Sequence, residues 1–198
     1  WDNRFLTKKE NKKPDFLNYL IPGIGYGGSC FPKDIKTLIQ TANKYNSNLS
    51  ILREVDKINE NQSEIISKKI YQIIKDNKEI KKILVLGVTF KENTDDLRNS
   101  TSINLINNLS SKNLNISIYD PILIKKKYNE KKSFFHKKVK YLYNLNEIKK
   151  YNFIIVNNRS PEFRKILKNY ADKNKVFLFD SRRFFDKNKF KNYSGSGI

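Results

Sequence analysis

The chain has 198 residues, with 40 Lys and Arg against 20 Asp and Glu, so its formal net charge at pH 7 is +20. Hydrophobic residues make up 38% and aromatic residues 13%, which suffices for a core and excludes a wholly disordered chain. A single cysteine excludes a disulfide framework and a zinc site built from several thiolates, and we expect no metal site. No apolar run reaches the ~18 residues of a membrane span and no charged-then-apolar leader is visible, so we expect no membrane partner and a cytoplasmic location.

The excess of positive charge raises the hypothesis of a nucleic-acid-binding protein. The lysines are spread along the whole chain, and their clusters, such as residues 125–127, are small. Neither a binding motif nor a basic stripe with stacking aromatic residues is visible. We therefore expect a generally basic surface that attracts anionic ligands, including phosphate-bearing small molecules, and no nucleic-acid partner.

In chain order, residues 1–18 are polar and rich in Lys, which predicts an exposed loop. Four of the seven glycines then lie within residues 23–28, a backbone that turns tightly or lets another group approach closely. Pro32 and Asp34 predict the start of a helix that continues to about Asn46. A longer helix with a 3.6-residue apolar period is predicted over about 52–76, and its length suits a domain connection or a subunit contact.

After Lys82 the pattern changes to short apolar runs that alternate with helical stretches. Strands are predicted at 83–88, 116–119, 139–142, 153–156 and 176–179, and helices at 102–109 and 161–170. This alternation predicts a doubly wound parallel sheet. The fold class is therefore α/β, with a helical central segment over 1–80 and a Rossmann-like, doubly wound parallel-sheet domain over 81–198.

Polar residues follow several predicted strands directly, at the edge of the sheet where such folds bind ligands. They lie in segments 89–100, 120–121, 157–159 and 180–183. The cations among them suit a phosphorylated or otherwise anionic ligand. Ordinary loop polarity with helix capping is the alternative, and these residue types leave the two interpretations equally open.

Cys30 lies between the glycine run and the predicted helix start, near amide N–H groups and the positive end of the helix dipole. Both favour the thiolate form, which indicates a reactive thiol. An inert packing cysteine is the alternative, but packing does not require glycines on one side and a charged helix turn on the other. Asp34, four residues on, suits a base or a water-positioning group, or else a carboxylate that the helix dipole favours.

Segment 25–34, Gly-Tyr-Gly-Gly-Ser-Cys-Phe-Pro-Lys-Asp, resembles the active-site segment of the UDP-glucose/GDP-mannose 6-dehydrogenase family. Segment 87–100, Gly-Val-Thr-Phe-Lys-Glu-Asn-Thr-Asp-Asp-Leu-Arg-Asn-Ser, resembles the signature of that family's C-terminal domain, and Tyr119-Asp120-Pro121 follows at a fitting distance. The two matches occur in the family's order, and the resemblance covers the chain from about residue 19 to its C-terminus.

The resemblance implies oxidation of the C6 alcohol of a nucleotide sugar to a carboxylate with reduction of two NAD⁺, UDP-glucose to UDP-glucuronate being the best match. The alternatives are GDP-mannose or another UDP-hexose, or a module that binds a nucleotide sugar without chemistry. Cys30 would attack the aldehyde to form a thiohemiacetal and then a thioester, and Asp34 would assist the water that releases the acid. The other implied site residues are, for the substrate, Tyr19, Leu20, Gly27, Phe90, Lys91 and Arg182, and, for the cofactor, Lys33 and Arg98. The implied partners are a UDP-sugar and, in the full-length enzyme, a second copy that pairs through the long helix.

Two departures from the family accompany the resemblance. The family places an NAD-binding domain with a glycine-rich fingerprint ahead of these motifs, and no Gly-x-Gly-x-x-Gly follows a strand in this chain. The family's Asp-Gly-Arg is Asp180-Ser181-Arg182 here. The chain opens at Trp1 without Met, so we expect that an N-terminal part is missing and that this chain alone produces no NADH from a nucleotide sugar.

Overall fold

The computed structural model describes residues 20–125, 133–171 and 176–197. Two helices come first, α1 (Phe31–Lys44) and α2 (Ser50–Asp76). Both helices were predicted from the sequence, and their observed ends lie within two residues of the predicted ends. The loop predicted over residues 1–18, and Tyr19 with it, lie outside the described residues.

The rest of the described chain alternates strands with helices. The strands are β1 (Ile83–Leu86), β2 (Ile116–Tyr119), β3 (Lys140–Tyr141), β4 (Phe153–Val156), β5 (Phe177–Asp180) and β6 (Asn192–Gly195). The α-helices are α3 (Thr101–Ser110), α4 (Pro121–Lys125) and α5 (Pro161–Ala171), and short 3₁₀ helices occur at Leu145–Lys150 and Lys187–Lys189. The five predicted strands and both predicted helices of this half are confirmed. The sequence analysis did not predict β6, α4 or the 3₁₀ helices.

The six strands form one parallel sheet in the order β3-β2-β1-β4-β5-β6. This confirms the doubly wound parallel sheet predicted from the sequence. The chain proceeds outward from β1 on both sides, so the strand order reverses between β1 and β4. Ligands of doubly wound folds bind beyond the carboxyl ends of the strands at such a reversal.

The sheet is buried on both faces, which explains why its central strands are continuous apolar runs. One face packs against α2 and α3, and its cluster includes Val85, Phe153, Ile155 and Phe179 with Ile66, Ile70, Leu105 and Ile106. The other face packs against α5, and its cluster includes Leu84, Ile154, Val156 and Leu178 with Phe163 and Leu167. The C-terminal half of α2 therefore belongs to the core of the sheet, and the predicted domain boundary at residue 80 stays a prediction.

Within the three described ranges, no helix combines the length and the apolarity that crossing a bilayer requires.

Two tyrosines, the buried Tyr119 and the half-buried Tyr193, link the sheet to carboxylates. The Tyr119 hydroxyl donates to Glu162 Oε1 at 2.8 Å, and the Tyr193 hydroxyl donates to Asp180 Oδ2 at 3.0 Å. Burial, reinforced by the adjacent carboxylate, raises the pKa of both phenols well above their usual value. A group whose pKa is raised in the folded state contributes stability below its unfolded pKa, and that contribution is lost as the pH rises past it.

We therefore expect alkaline pH to destabilise the native protein more than its Tyr193→Phe variant. Phenylalanine cannot ionise, so the variant lacks this loss of stability at high pH. Between pH 9 and pH 11, we expect the unfolding free energy of the native protein to fall by about 0.5 kcal/mol more than that of the variant. This value allows for the partial exposure of Tyr193. Urea titrations of both proteins at the two pH values measure this difference. Parallel losses of stability in the two proteins would contradict it.

Candidate functional site

A cavity of about 750 Å³ opens where α2 and the glycine-rich loop face the carboxyl edge of the sheet. Its walls come from five parts of the chain: the loop from Ile21 to Gly27, the start of α1, one face of α2, the loop after β1 and the loop after β5. The lining residues outside the glycine-rich loop are Phe31, Val55, Ile58, Asn59, Gln62, Phe90, Lys91 and Arg182. This volume is within the range of pockets that bind small molecules.

Four residues expected from the family resemblance line this one cavity: Gly27, Phe90, Lys91 and Arg182. They belong to three segments that are separated by more than 60 residues in sequence. Leu20 is 66% exposed and does not line the cavity. The structure therefore brings together most of the expected substrate contacts.

Gly27 lies directly against the loop that follows β1. A Cβ atom at this position would collide with the carbonyl oxygen of Asn99. On the same loop, Asn99 Nδ2 donates to the carbonyl of Gly28 at 3.1 Å. This close approach holds the glycine-rich loop, and with it the chain that leads to Cys30, beside Phe90 and Lys91.

Arg182 is the most enclosed cation of the cavity. Asp180 Oδ1 accepts the Arg182 backbone N–H at 3.0 Å, and Arg182 Nε donates to the carbonyl of Asn157 at 2.9 Å. No carboxylate in the described part of the chain forms an ion pair with the guanidinium. Burial lowers the pKa of Arg182, and the nearby charge of Arg159 adds to this effect while Glu92 opposes it. A desolvated cation without a counter-ion, on a cavity wall, favours an anionic ligand.

Lys91 supplies a second positive charge, and its Nζ lies 5.4 Å from the centre of the Phe90 ring. The buried carboxylate of Asp120 shapes the loop that carries it, because Asp120 Oδ2 accepts from Val88 N at 3.0 Å and Thr89 N at 3.3 Å. Thr89 Oγ1 in turn donates to the Lys91 carbonyl at 2.9 Å. The polar residues after β1 and β2 thus form one structure that presents Lys91 to the cavity.

Cys30 is exposed and immediately precedes α1, as the sequence predicts. Its neighbour Phe31 lines the cavity, and Ser29 Oγ lies 3.7 Å from the sulfur. Asp34 follows one turn later, and its backbone N–H donates to the Cys30 carbonyl at 2.9 Å. The thiol is therefore accessible from solvent, with a carboxylate on the adjacent helix turn. Cys30 does not itself line the cavity, but it directly precedes Phe31, which does.

Lys33 and Arg98 flank this thiol, and both lie on the surface in ion pairs. Lys33 Nζ contacts Asp34 Oδ1 at 2.6 Å, and Arg98 binds both oxygens of Asp96, at 2.9 and 2.8 Å. These carboxylates raise the pKa of both cations, and the charge of a Cys30 thiolate adds to the effect. Both cations are thus already paired with carboxylates at the surface. They do not form an enclosed dinucleotide pocket, and no Gly-x-Gly-x-x-Gly loop occurs at a strand end in the described ranges.

Among the described residues, no group of three His, Cys, Asp or Glu side chains is arranged to hold a metal ion.

Sequence reasoning missed the contribution of α2 to the cavity. Asn59 and Gln62 lie three residues apart on one face of this helix, line the cavity, and bind the backbone of the glycine-rich loop. A signal existed, since two side-chain amides interrupt the apolar face that Val55 and Ile58 begin. Nothing in the sequence indicated which other segment this face contacts.

The model of the UDP-glucose/GDP-mannose dehydrogenase family, UDP binding domain, matches residues 84–187, and the model of the central domain of the same family matches residues 5–61. Among curated relatives, the UDP-glucose 6-dehydrogenase of Rickettsia felis is 34% identical over 150 residues, which are 75% of this chain and 33% of the relative. The putative UDP-glucose 6-dehydrogenase YtcA of Bacillus subtilis is 42% identical over 104 residues, which are 52% of this chain and 24% of the relative.

Solved structures agree in fold. A UDP-glucose dehydrogenase from Pyrobaculum islandicum superposes with a TM-score of 0.69 at 23% identity, covering 87% of this chain and 38% of that one. A GDP-mannose dehydrogenase from Pseudomonas aeruginosa superposes with a TM-score of 0.68 at 24% identity, covering 89% of this chain and 41% of that one. The chain spans about a quarter to a third of the length of the curated relatives that it matches.

Proposed function

We propose, since the chain belongs to the UDP-glucose/GDP-mannose dehydrogenase family, that it forms the part of an NAD-dependent UDP-glucose 6-dehydrogenase that binds the sugar nucleotide and carries the reacting thiol. The observation that carries this proposal is the cavity in which Arg182 and Lys91 face the glycine-rich loop, and whose wall includes Phe31, the residue after Cys30. Two cations in one cavity suit a diphosphate, which a nucleotide sugar supplies. The sugar would then extend along the loop toward Phe31 and Cys30.

Cys30 would perform the covalent chemistry. As a thiolate it would add to the C6 aldehyde and form a C–S bond, while the carbonyl oxygen takes up a proton to give a thiohemiacetal. Oxidation of this adduct gives a thioester, and water then attacks its carbonyl carbon, so that the C–S bond breaks and the thiol returns. Asp34, exposed one helix turn away, would accept the proton of the attacking water.

NAD⁺, when bound, would accept the hydride in each of the two oxidations. Lys33 and Arg98 are the residues of this chain that would contact it, because their charges lie beside the thiol at the surface. In this proposal the chain by itself produces no NADH.

The alternative substrates are GDP-mannose and another UDP-hexose, and the alternative role is a binding module without chemistry. An exposed Cys30 followed by Asp34 favours the enzyme, because binding alone requires neither group. UDP-glucose is favoured because the curated relatives described above are named for it. Calorimetric titration with UDP-glucose and GDP-mannose distinguishes the substrates, and a DNA duplex tests the nucleic-acid alternative raised by the net charge. Tight binding of the duplex alone would overturn the proposed function.

We also propose that the full-length enzyme forms a homodimer through α2. Large apolar side chains are exposed on this helix, with Ile51 80% and Ile65 55% exposed, and Ile58, which also lines the cavity, 60% exposed. A second copy of the helix would cover such a surface.

Replacing Arg182 with alanine is expected to lower the affinity for UDP-glucose about 30-fold, since charge-assisted hydrogen bonds contribute about 1.5–3 kcal/mol each. Calorimetry of the two proteins measures this loss. Arg183→Ala is the matched control: it removes the same charge one residue later, where the guanidinium binds the carbonyls of Ser196 and Gly197 and does not line the cavity. If Arg182→Ala retained affinity within twofold of the native value, the diphosphate would bind elsewhere.

A further inference from the structure

We propose that Asn59 is a positioning residue for the reacting thiol, because its side-chain amide holds the glycine-rich loop that leads to Cys30. This inference rests on the proposed function. It assigns a role to a residue of α2 that is 29 positions away from the thiol in sequence.

The contact between Asn59 and the loop has two points. Asn59 Oδ1 accepts from the backbone N–H of Tyr26 at 2.8 Å, and Asn59 Nδ2 donates to the carbonyl of the same residue at 3.1 Å. One carboxamide thereby satisfies both backbone groups of Tyr26, as a neighbouring β-strand would. Two bonds to one residue fix the orientation of the peptide as well as its distance from α2.

The neighbouring glycine makes room for this amide. Gly25 has φ +103°, and a Cβ atom there would lie 2.5 Å from Asn59 Oδ1. Any side chain at position 25 would therefore displace the amide and strain the backbone. The loop conformation and the Asn59 contact depend on each other.

Two further amides hold the loop on either side of Tyr26. Gln62 Nε2, also on α2, donates to the Gly23 carbonyl at 3.3 Å, and Asn99 Nδ2 donates to the Gly28 carbonyl at 3.1 Å. The ring of Tyr26 then contacts the ring of Phe31 edge to face, with centroids 4.9 Å apart. Contacts to Tyr26 thus restrain the chain on both sides of Cys30, and Asn59 makes two of them.

A carboxamide suits this position better than the alternatives. A carboxylate would lack the donor for the Tyr26 carbonyl and would place a negative charge on the wall of a cavity proposed to hold a diphosphate. An apolar side chain would leave the Tyr26 N–H and carbonyl without partners. Since a displacement of about 1 Å at a reacting group costs about 100-fold in rate, a restrained loop matters to the chemistry.

The test uses the single cysteine of the chain, because a thiol reagent then reports on position 30 alone. The variant is Asn59→Leu, which keeps the approximate shape of the side chain and removes both hydrogen bonds. Asn61→Leu is the matched control, since it makes the same substitution at an exposed position of the same helix. Each protein is assayed for UDP-glucose affinity, for backbone amide exchange in residues 23–28, and for alkylation of Cys30 by iodoacetamide with and without saturating UDP-glucose.

In the native chain, we expect bound UDP-glucose to slow alkylation of Cys30 about tenfold by occupying the space beside it. In Asn59→Leu, affinity stays within about threefold because Lys91 and Arg182 are unchanged, while amide exchange in the loop becomes about tenfold faster. The protection of Cys30 falls below about twofold, since a loop that moves no longer holds the thiol against the ligand. Asn61→Leu matches the native chain in all three measurements.

Unchanged exchange or unchanged protection in Asn59→Leu would overturn the role of Asn59. A native chain that neither binds UDP-glucose nor protects Cys30 would contradict the proposed function itself, so the two failures are distinguishable. If Asn59→Leu does not fold, Asn59→Ala replaces it, because alanine removes both hydrogen bonds to Tyr26 and adds neither bulk nor charge to the cavity wall. The same two measurements then decide, with loss of protection at retained affinity expected.

Discussion

Replacing Cys30 with serine is expected to abolish formation of the sugar acid, with a loss of at least about a thousandfold, because a hydroxyl does not form the thioester from which water releases the product. The assay joins this chain to the part of the Rickettsia felis UDP-glucose 6-dehydrogenase that it does not cover, and follows UDP-glucuronate. UDP-glucose affinity should change less than about twofold, since the sulfur adds little to the cavity wall. The substitution therefore separates chemistry from binding.

The matched control for this experiment is Ser29→Ala. In the native chain the Ser29 hydroxyl lies 3.7 Å from the Cys30 sulfur, and Ser29 directly precedes Cys30 in sequence. Removing it should leave acid formation within about fivefold of the native rate, as a single neutral hydrogen bond contributes about 1 kcal/mol. Acid formation by Cys30→Ser at the native rate would exclude the covalent role and favour direct hydration of the aldehyde.

Replacing Gly87 with alanine is expected to lower the free energy of unfolding by about 3 kcal/mol, the sum of overpacking and left-handed backbone strain. Gly87 directly follows β1 and has φ +83°, and its missing side chain leaves room for the amide of Asn158. A methyl group there would overlap that amide and push apart the ends of β1 and β4. Urea unfolding at neutral pH measures the change.

A double-mutant cycle with Asn158→Ala identifies the cause. Removing the Asn158 side chain vacates the space for the new methyl group, so the double variant should be more stable than the sum of the two single effects by about 1–2 kcal/mol. The remaining loss reflects backbone strain at position 87. Additive losses would show that the steric overlap has no role and that strain alone destabilises Gly87→Ala.

Most of the sheet was predictable because its strands are buried on both faces. Residues 153–156 are wholly apolar, and a short apolar run between polar segments indicates a strand without knowledge of its neighbours. The edge strand β6 lacked this signal, since its residues, Asn-Tyr-Ser-Gly, are mostly polar and half-buried. Its pairing with β5 depends on backbone hydrogen bonds that any sequence can form.

The candidate site was predictable where chemistry is encoded in a few consecutive residues. Cys30 lies before α1 and is exposed, as the glycine run and Pro32 predict. Gly27 and Arg182 were expected from motifs that resemble a family, and the structure places both on one cavity. The Asn59 contact was not predictable, because the sequence around an amide on a helix does not indicate which distant loop the amide will bind.

The sequence by itself determined the local conformations and the reactive groups: the helix start at Cys30, the parallel α/β class, and the cations that follow the strands. These depend on side-chain size, backbone freedom and periodicity, which act between residues near each other in the chain. Only the tertiary structure decided that Lys91 and Arg182 share one cavity with the glycine-rich loop. It also decided that Asn59 on α2 forms hydrogen bonds to this loop. Those contacts depend on the order of the strands and the packing of α2 on α3, which are set by the burial of apolar surface across the whole domain.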